Sequence, residues 1–158
     1  MFQTYYGFTD TQYTAVFATN AFCMILATLI FSRFVGRVSE DRFLSVGLLV
    51  GTAASSGVLL CAVLGTPAVA LWICLAVVTG SWGLVITASA TRTQALGSTM
   101  PGTAAALQGG LAFGLGGLGT PLAGLLGGTP MAMGAVMAAG LGLATILQVV
   151  VPKVWRMS

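Results

Sequence analysis

Apolar residues run along this chain in long blocks that turn residues and charged residues separate. A helix needs about 20 apolar residues to cross the hydrocarbon of a bilayer, and five blocks reach that length. The pattern predicts one transmembrane domain over residues 1–158, with five helical spans at residues 11–32, 43–64, 68–90, 101–126 and 131–151.

Local signals mark the ends of these spans. Thr9 with Gln12 three residues later has the spacing of a capping box at the start of the first helix. Gly65-Thr66-Pro67 and Gly127-Gly128-Thr129-Pro130 are typical turn sequences, and Pro101 suits the first turn of the fourth helix. These capping and turn signals therefore fall at the span ends that the lengths of the apolar blocks predict.

Composition supports lipid as the solvent. Charged residues make up 6% of the chain, hydrophobic residues 57%, and residues 43–91 and 93–152 carry no charge. Soluble domains have roughly a quarter of their residues charged. The mean hydropathy of +1.00 agrees. The predicted fold class is an all-α membrane protein whose first partner is the lipid bilayer.

The basic residues predict the orientation, because short loops rich in Lys and Arg stay in the cytoplasm. All of them fall after the first, third or fifth span: Arg33, Arg37, Arg42, Arg92, Lys153 and Arg156. We expect a multi-pass protein of the cytoplasmic (inner) membrane with its C-terminus inside and its N-terminus outside. The net charge of +3 thus sets topology and does not indicate nucleic-acid binding.

An odd number of spans with an external N-terminus needs an explanation, because Met1–Asp10 has no signal-peptide pattern. Two expectations follow. Either further helices precede Met1 in a longer protein, or the gene is truncated.

Enzyme chemistry is not expected. The chain has no His, and its three carboxylates (Asp10, Glu40 and Asp41) lie at predicted loops. This inventory predicts no catalytic residues, no metal site and no cofactor. The three cysteines fall inside predicted spans and are interpreted as small packing residues: Cys23, Cys61 and Cys74.

Small residues at four-residue spacing recur in the second, fourth and fifth spans, and such stripes let helices approach closely in lipid. In the fourth span Gly116, Thr120 and Gly124 follow this spacing, and Pro121 predicts a bend because it removes a backbone hydrogen bond. The pattern is compatible with tight packing alone and with a gating helix.

Polar residues inside spans form the remaining signal, because each needs a partner or a water-filled cavity. Asn20 falls near the middle of the first span, with Met24 one turn further on the same face; Ser81 and Gln108 fall inside the third and fourth spans. Asn20, Ser81 and Gln108 could each tie two helices together or face a substrate, and Met24 could supply an adaptable apolar contact.

Several stretches resemble drug:proton antiporters of the bicyclomycin-resistance (Bcr/CflA) type in the major facilitator superfamily. Residues 6–13 and 17–21 resemble the outer loop and eighth helix of that family, and Ser32-Arg33-Phe34-Val35-Gly36-Arg37 the basic loop that follows. Residues 80–85 resemble the tenth helix, and residues 101–107 and 121–127 the eleventh. Where the family often has Pro-Asn in the tenth helix, this chain has Thr87-Ala88.

The resemblance implies helices eight to twelve of a twelve-helix transporter, a partial C-terminal half of the major-facilitator fold. Its first, third and fourth spans would line a central cavity that binds a small amphiphilic substrate, with protons as the coupling ion in the full-length protein. The missing N-terminal helices would be its partners. No acid lies inside any span, so this piece alone is not expected to couple transport to protons.

Two function classes remain open from the sequence. One is part of an efflux transporter that exports drug-like molecules by alternating access and contributes to multidrug resistance. The other is a membrane protein that does not transport, either an assembly subunit or the inactive remnant of a truncated transporter gene.

Overall fold

A computed structural model describes residues 8–155, without the side chains of Thr120 and residues 151–155. Arg156 therefore lies outside the described residues, as does the side chain of Lys153. The described chain forms five helices in sequence: α1 Asp10–Phe34, α2 Glu40–Leu64, α3 Ala68–Leu96, α4 Pro101–Leu125 and α5 Pro130–Trp155. The predicted all-α class is confirmed.

The helix ends use the local signals of the sequence. The hydroxyl of Thr9 accepts a hydrogen bond from the backbone N–H of Gln12, and the Gln12 side chain accepts one from the backbone of Thr9, so the capping box is confirmed. Gly65 ends α2 in the left-handed region, at φ 61°, which suits glycine. Gly127 and Gly128 also have positive φ and turn the chain from α4 into α5.

The helices pack in the spatial order α1, α3, α2, α5. The contacts of α2 are mainly with α3 on one side and α5 on the other, while α1 packs on α3. A buried cluster joins the first three helices at the end of the bundle away from the basic loops: Val16, Val58, Leu71, Leu75 and Val78. α4 makes far fewer contacts, with α3 and α5.

Small residues bring α2 and α3 together. A Cβ added at Gly47 would lie 2.8 Å from a methyl carbon of Val85, and one at Gly51 would lie 2.7 Å from the Ser81 hydroxyl. Ser55, one turn further, is fully buried. The predicted packing through small residues is confirmed for α2.

The span predicted for α4, at residues 101–126, stays a prediction. By length and composition, four of the five helices in residues 8–155 could cross a membrane, and α4 is not among them. The predicted close packing of its stripe is also missing within the described chain: a Cβ added at Gly116 or Gly124 would meet no heavy atom within 4 Å.

The basic residues of the described chain gather at one end of the bundle, called here the basic end. Arg33 ends α1, Arg42 lies in the first turn of α2, and Arg92 lies near the end of α3. An ion pair between Arg92 and Asp41 joins α3 to the start of α2. The opposite loops, at residues 65–67 and 126–129, contain no Lys or Arg.

Candidate functional site

Asn20 lies on the face of α1 that packs on α3, between the buried residues Val16 and Ala27. Its side-chain oxygen is buried and has no hydrogen-bond partner among the described residues. In a low-dielectric interior such an oxygen costs free energy unless it is paired. If Asn20 linked α1 to another helix, this oxygen would accept a hydrogen bond from that helix, and none of the described helices donates one.

Met24 lies where α1 and α3 approach most closely. A Cβ added at Gly83 would lie 2.9 Å from the backbone oxygen of Met24 and 3.2 Å from its Cγ. Met24 also lines a shallow cavity of about 350 Å³ on the outer face of α1, together with Ala21, Ile25 and Thr28. Met24 therefore contributes both to the contact between α1 and α3 and to the exposed face of α1.

Ser81 is buried between α2 and α3, with 4% of its surface exposed. Its hydroxyl donates to the backbone oxygen of Val78 at 2.7 Å and faces Gly51. This placement fits the structural alternative for Ser81, because the hydroxyl is satisfied within its own helix.

Gln108 joins α4 to α3. Its amide nitrogen lies 3.5 Å from the Ser89 hydroxyl, at the limit of hydrogen-bond distance. Near the start of α4, a Cβ added at Gly97 would lie 2.4 Å from Ala104 Cβ, so the two helices also meet around their short connection. Gln108 thus contacts α3 at one of the few points where α4 is held.

α4 continues through Pro121 to Leu125, with Pro121 exposed inside the helix. Gly116 lines a cavity beside α3, and Gly124 lies on an exposed surface. The side chain of Thr120 is outside the described part. The bend predicted at Pro121 stays a prediction.

A cavity of about 620 Å³, which the sequence did not predict, opens between α3 and α5. Leu48 of α2 lies between the two helices, and Gly116 and Gly119 of α4 form part of the lining. The walls are apolar: Val78, Trp82 and Val85 from α3, and Met137, Leu141 and Ala144 from α5. Trp82 is 46% exposed here, although tryptophan in this position could have been buried by a packed α4.

A second cavity of about 490 Å³ lies beside the first, toward the basic end. Its lining is mixed, with Ser89, Arg92, Thr93 and Gln148 as the polar residues and Leu44, Leu96, Ala144 and Leu147 as the apolar ones. Ala144 lines both cavities. We call the two cavities together the α3–α5 groove.

One inter-helix hydrogen bond involves a residue that the sequence did not single out. The hydroxyls of Thr52 on α2 and Thr145 on α5 lie 2.9 Å apart. Thr145 donates to the backbone oxygen of Leu141 at 2.8 Å, so Thr52 can donate to Thr145. The spacing of small residues indicated that α5 packs closely, and Thr52, a polar residue inside a span, was expected to be structural, but Thr145 gave no signal for this bond.

Comparison with known proteins gives one similarity to a transporter. The chain is 27% identical over 137 residues to the "Uncharacterized MFS-type transporter YdgK" of Bacillus subtilis (strain 168). The chain is similar to a transporter. The match covers 87% of this chain and 34% of that protein, so the chain spans about a third of the length of its relative. No protein-family model and no solved structure matches.

Proposed function

We propose that this chain is the C-terminal part of a secondary active transporter of the major facilitator superfamily, of the Bcr/CflA drug:proton antiporter type. The full-length transporter exports small amphiphilic molecules by alternating access, with protons as the coupling ion, and it is not an enzyme. It lies in the cytoplasmic membrane with the basic end and the C-terminus inside.

The observation that carries this proposal is the similarity to an MFS-type transporter along 87% of the chain. The bundle supports it independently. Its helices are apolar and antiparallel to their neighbours in sequence, and the described basic residues gather at one end. A tightly packed assembly subunit would share the apolar helices but has no reason to match a transporter.

The sparse contacts of α4 support the idea of missing partner helices. Phe113 and Leu125 of α4 are each 85% exposed, and a Cβ added at any glycine between them would meet no heavy atom within 4 Å in the described chain. In the proposed full-length protein, seven preceding helices complete the fold, and α1, α3 and α4 line its central cavity.

The gene itself tests the proposal. Sequence directly upstream of Met1 should encode, in frame, about seven further apolar segments of roughly 20 residues each. A stop codon immediately ahead of Met1, with its own start signals, would favour a remnant or an assembly subunit.

Asn20 tests the proposed substrate cavity. Replacing Asn20 with alanine should leave the thermal stability of the chain unchanged or raise it, because the side-chain oxygen has no described partner to lose. In the longer protein, the same change should alter which compounds are exported. Melting in detergent and a resistance profile over a panel of amphiphilic drugs provide the two measurements.

Thr52→Val is the matched control, because it removes one bond from Thr52 to Thr145. Inter-helix bonds of this kind contribute about 0.6 kcal/mol on average, so the control should melt slightly lower and export every compound in the same proportion. If Asn20→Ala, like Thr52→Val, melts slightly lower and exports every compound in the same proportion, Asn20 is a structural residue and does not belong to the proposed substrate site.

A further inference from the structure

The α3–α5 groove is amphipathic along its length. On α3 its lining residues follow one helical stripe, from Val78 through Trp82 and Val85 to Ser89 and Arg92. α5 is apolar along most of the groove, at Met137, Leu141 and Leu147, and contributes one polar residue, Gln148, with Leu44 and Leu48 of α2 lying between the helices. The apolar part lies deep in the bundle and the polar part lies at the basic end.

The dimensions of the groove match one leaflet of a bilayer. At 1.5 Å per residue, Trp82 lies about 15 Å from Arg92 along α3, and Val78 about 21 Å. Half of the hydrocarbon thickness of about 30 Å is about 15 Å. Trp72, near the other end of α3, lies about 30 Å from Arg92, which puts these two residues at opposite interfaces.

The polar end offers hydrogen-bond donors to an anion. The Arg92 guanidinium has five N–H groups, and among the described residues its one partner is Asp41. The Thr93 hydroxyl and the Gln148 amide line the same cavity and have no partner within the described chain. A phosphate accepts hydrogen bonds from a planar guanidinium and from neighbouring amide and hydroxyl groups. A basic pocket between helices at a membrane surface is suited to an anionic lipid headgroup.

We propose that the α3–α5 groove binds one anionic phospholipid from the leaflet at the basic end. Its phosphate contacts Arg92 and Gln148, and an acyl chain lies along Trp82 and Val78. The combination of an apolar channel and hydrogen-bond donors at its mouth identifies this occupant. An apolar helix would leave the Gln148 amide and the Arg92 N–H groups that do not bond to Asp41 without an acceptor, and a free phosphate would leave the apolar part empty. The proposal needs only membrane insertion and is independent of transport.

Quenching of Trp82 by brominated acyl chains tests the proposal. The full chain, with Trp72 and Trp155 replaced by phenylalanine, is purified in neutral detergent and titrated with brominated phosphatidylglycerol or brominated phosphatidylcholine. Phosphatidylglycerol should quench Trp82 at a concentration at least about ten-fold lower, because its net negative charge is attracted to Arg92, whereas the quaternary ammonium of phosphatidylcholine cancels the charge of its phosphate.

Three variants locate the effect. Arg92→Gln should weaken phosphatidylglycerol binding about ten-fold, whereas Arg37→Gln, which removes the same charge from the loop between α1 and α2, should change it less than about two-fold. Asp41→Asn frees Arg92 from its ion pair and should not weaken binding. Melting in detergent shows which variants are folded, and lipid binding is compared only between folded variants.

Several results would overturn the proposal. Equal quenching by both lipids, or equal loss in Arg92→Gln and Arg37→Gln, would mean general attraction of lipid to a basic protein. Displacement of the brominated lipid by millimolar inorganic phosphate would mean a free-anion site. Displacement by a second copy of the chain, seen as loss of quenching on dimerisation, would mean a protein interface.

Discussion

Vesicles that contain only this 158-residue chain should show no proton-driven efflux of amphiphilic dyes. A facilitator alternates access by rocking one half of the protein against the other, and the chain corresponds to about a third of its relative. Its acids also lie at helix ends: Asp10 begins α1, and Glu40 and Asp41 lie in the first turn of α2. No intramembrane carboxylate can therefore carry the coupling proton.

The measurement is fluorescence of a dye panel trapped in vesicles under an imposed pH gradient, with protein-free vesicles as the baseline. Cells that express the chain should likewise gain no drug resistance. Cooperative melting of the reconstituted chain shows that it is folded, so that an absence of efflux is not due to unfolding. Efflux above the baseline that collapses with the pH gradient would contradict the proposal that helices are missing.

Replacing Gly134 with alanine should lower the thermal stability of the bundle. A Cβ at this position would lie 2.9 Å from the Cα and 3.0 Å from the backbone nitrogen of Leu59, and a backbone cannot move aside as a flexible side chain can. Overpacking of this kind costs about 1–3 kcal/mol. That cost outweighs the gain of about 1 kcal/mol in helix propensity from glycine to alanine.

Gly142→Ala is the matched control, because Gly142 lies on the same helix and an added Cβ would meet no heavy atom within 4 Å. This variant should keep its melting temperature or raise it slightly. Melting curves in one detergent compare the two. If both variants shift by the same amount in the same direction, α5 does not pack on α2 at Gly134.

The helices could be predicted from the sequence because their determinants are local. Apolar length predicts a span, Thr9 marks the start of α1 through its side-chain hydrogen bond, and Gly65 and Pro101 mark helix ends through their backbone preferences. The structure differs from the predicted spans at two helix ends, the start of α2 and the end of α3. α2 begins at Glu40, before its apolar block, because acidic residues in a first turn are stabilised by the helix dipole.

α3 continues to Leu96, beyond the end predicted at Ala90. Its polar residues do not stop it, because their hydroxyls bond within the helix: Thr87 donates to the backbone oxygen of Gly83 and Thr91 to that of Thr87. Arg92 is held by Asp41. The polar sequence from Thr91 onward therefore did not mark the end of the helix.

The groove could not be predicted because it depends on tertiary arrangement. Its lining comes from four helices, and residues such as Val78 or Leu141 have no feature that separates them from other packing residues. Spacing showed that Gly116 and Gly124 share a face of α4, but spacing cannot show what that face contacts. Asn20, by contrast, could be singled out because an amide in an apolar span always needs an explanation.

The sidedness of four loops tests the central claim, that five helices cross the membrane with the basic end in the cytoplasm. The cysteines at 23, 61 and 74 are replaced by alanine, and single cysteines are placed at Ser39, Thr66, Ser98 and Thr129. A membrane-impermeant thiol reagent should label Thr66→Cys and Thr129→Cys in intact cells, and Ser39→Cys and Ser98→Cys only after the membrane is opened. The pair at 98 and 129 matters most, because these positions flank α4, the helix whose composition is least suited to crossing. Labelling of both from the same side would contradict the five-span account.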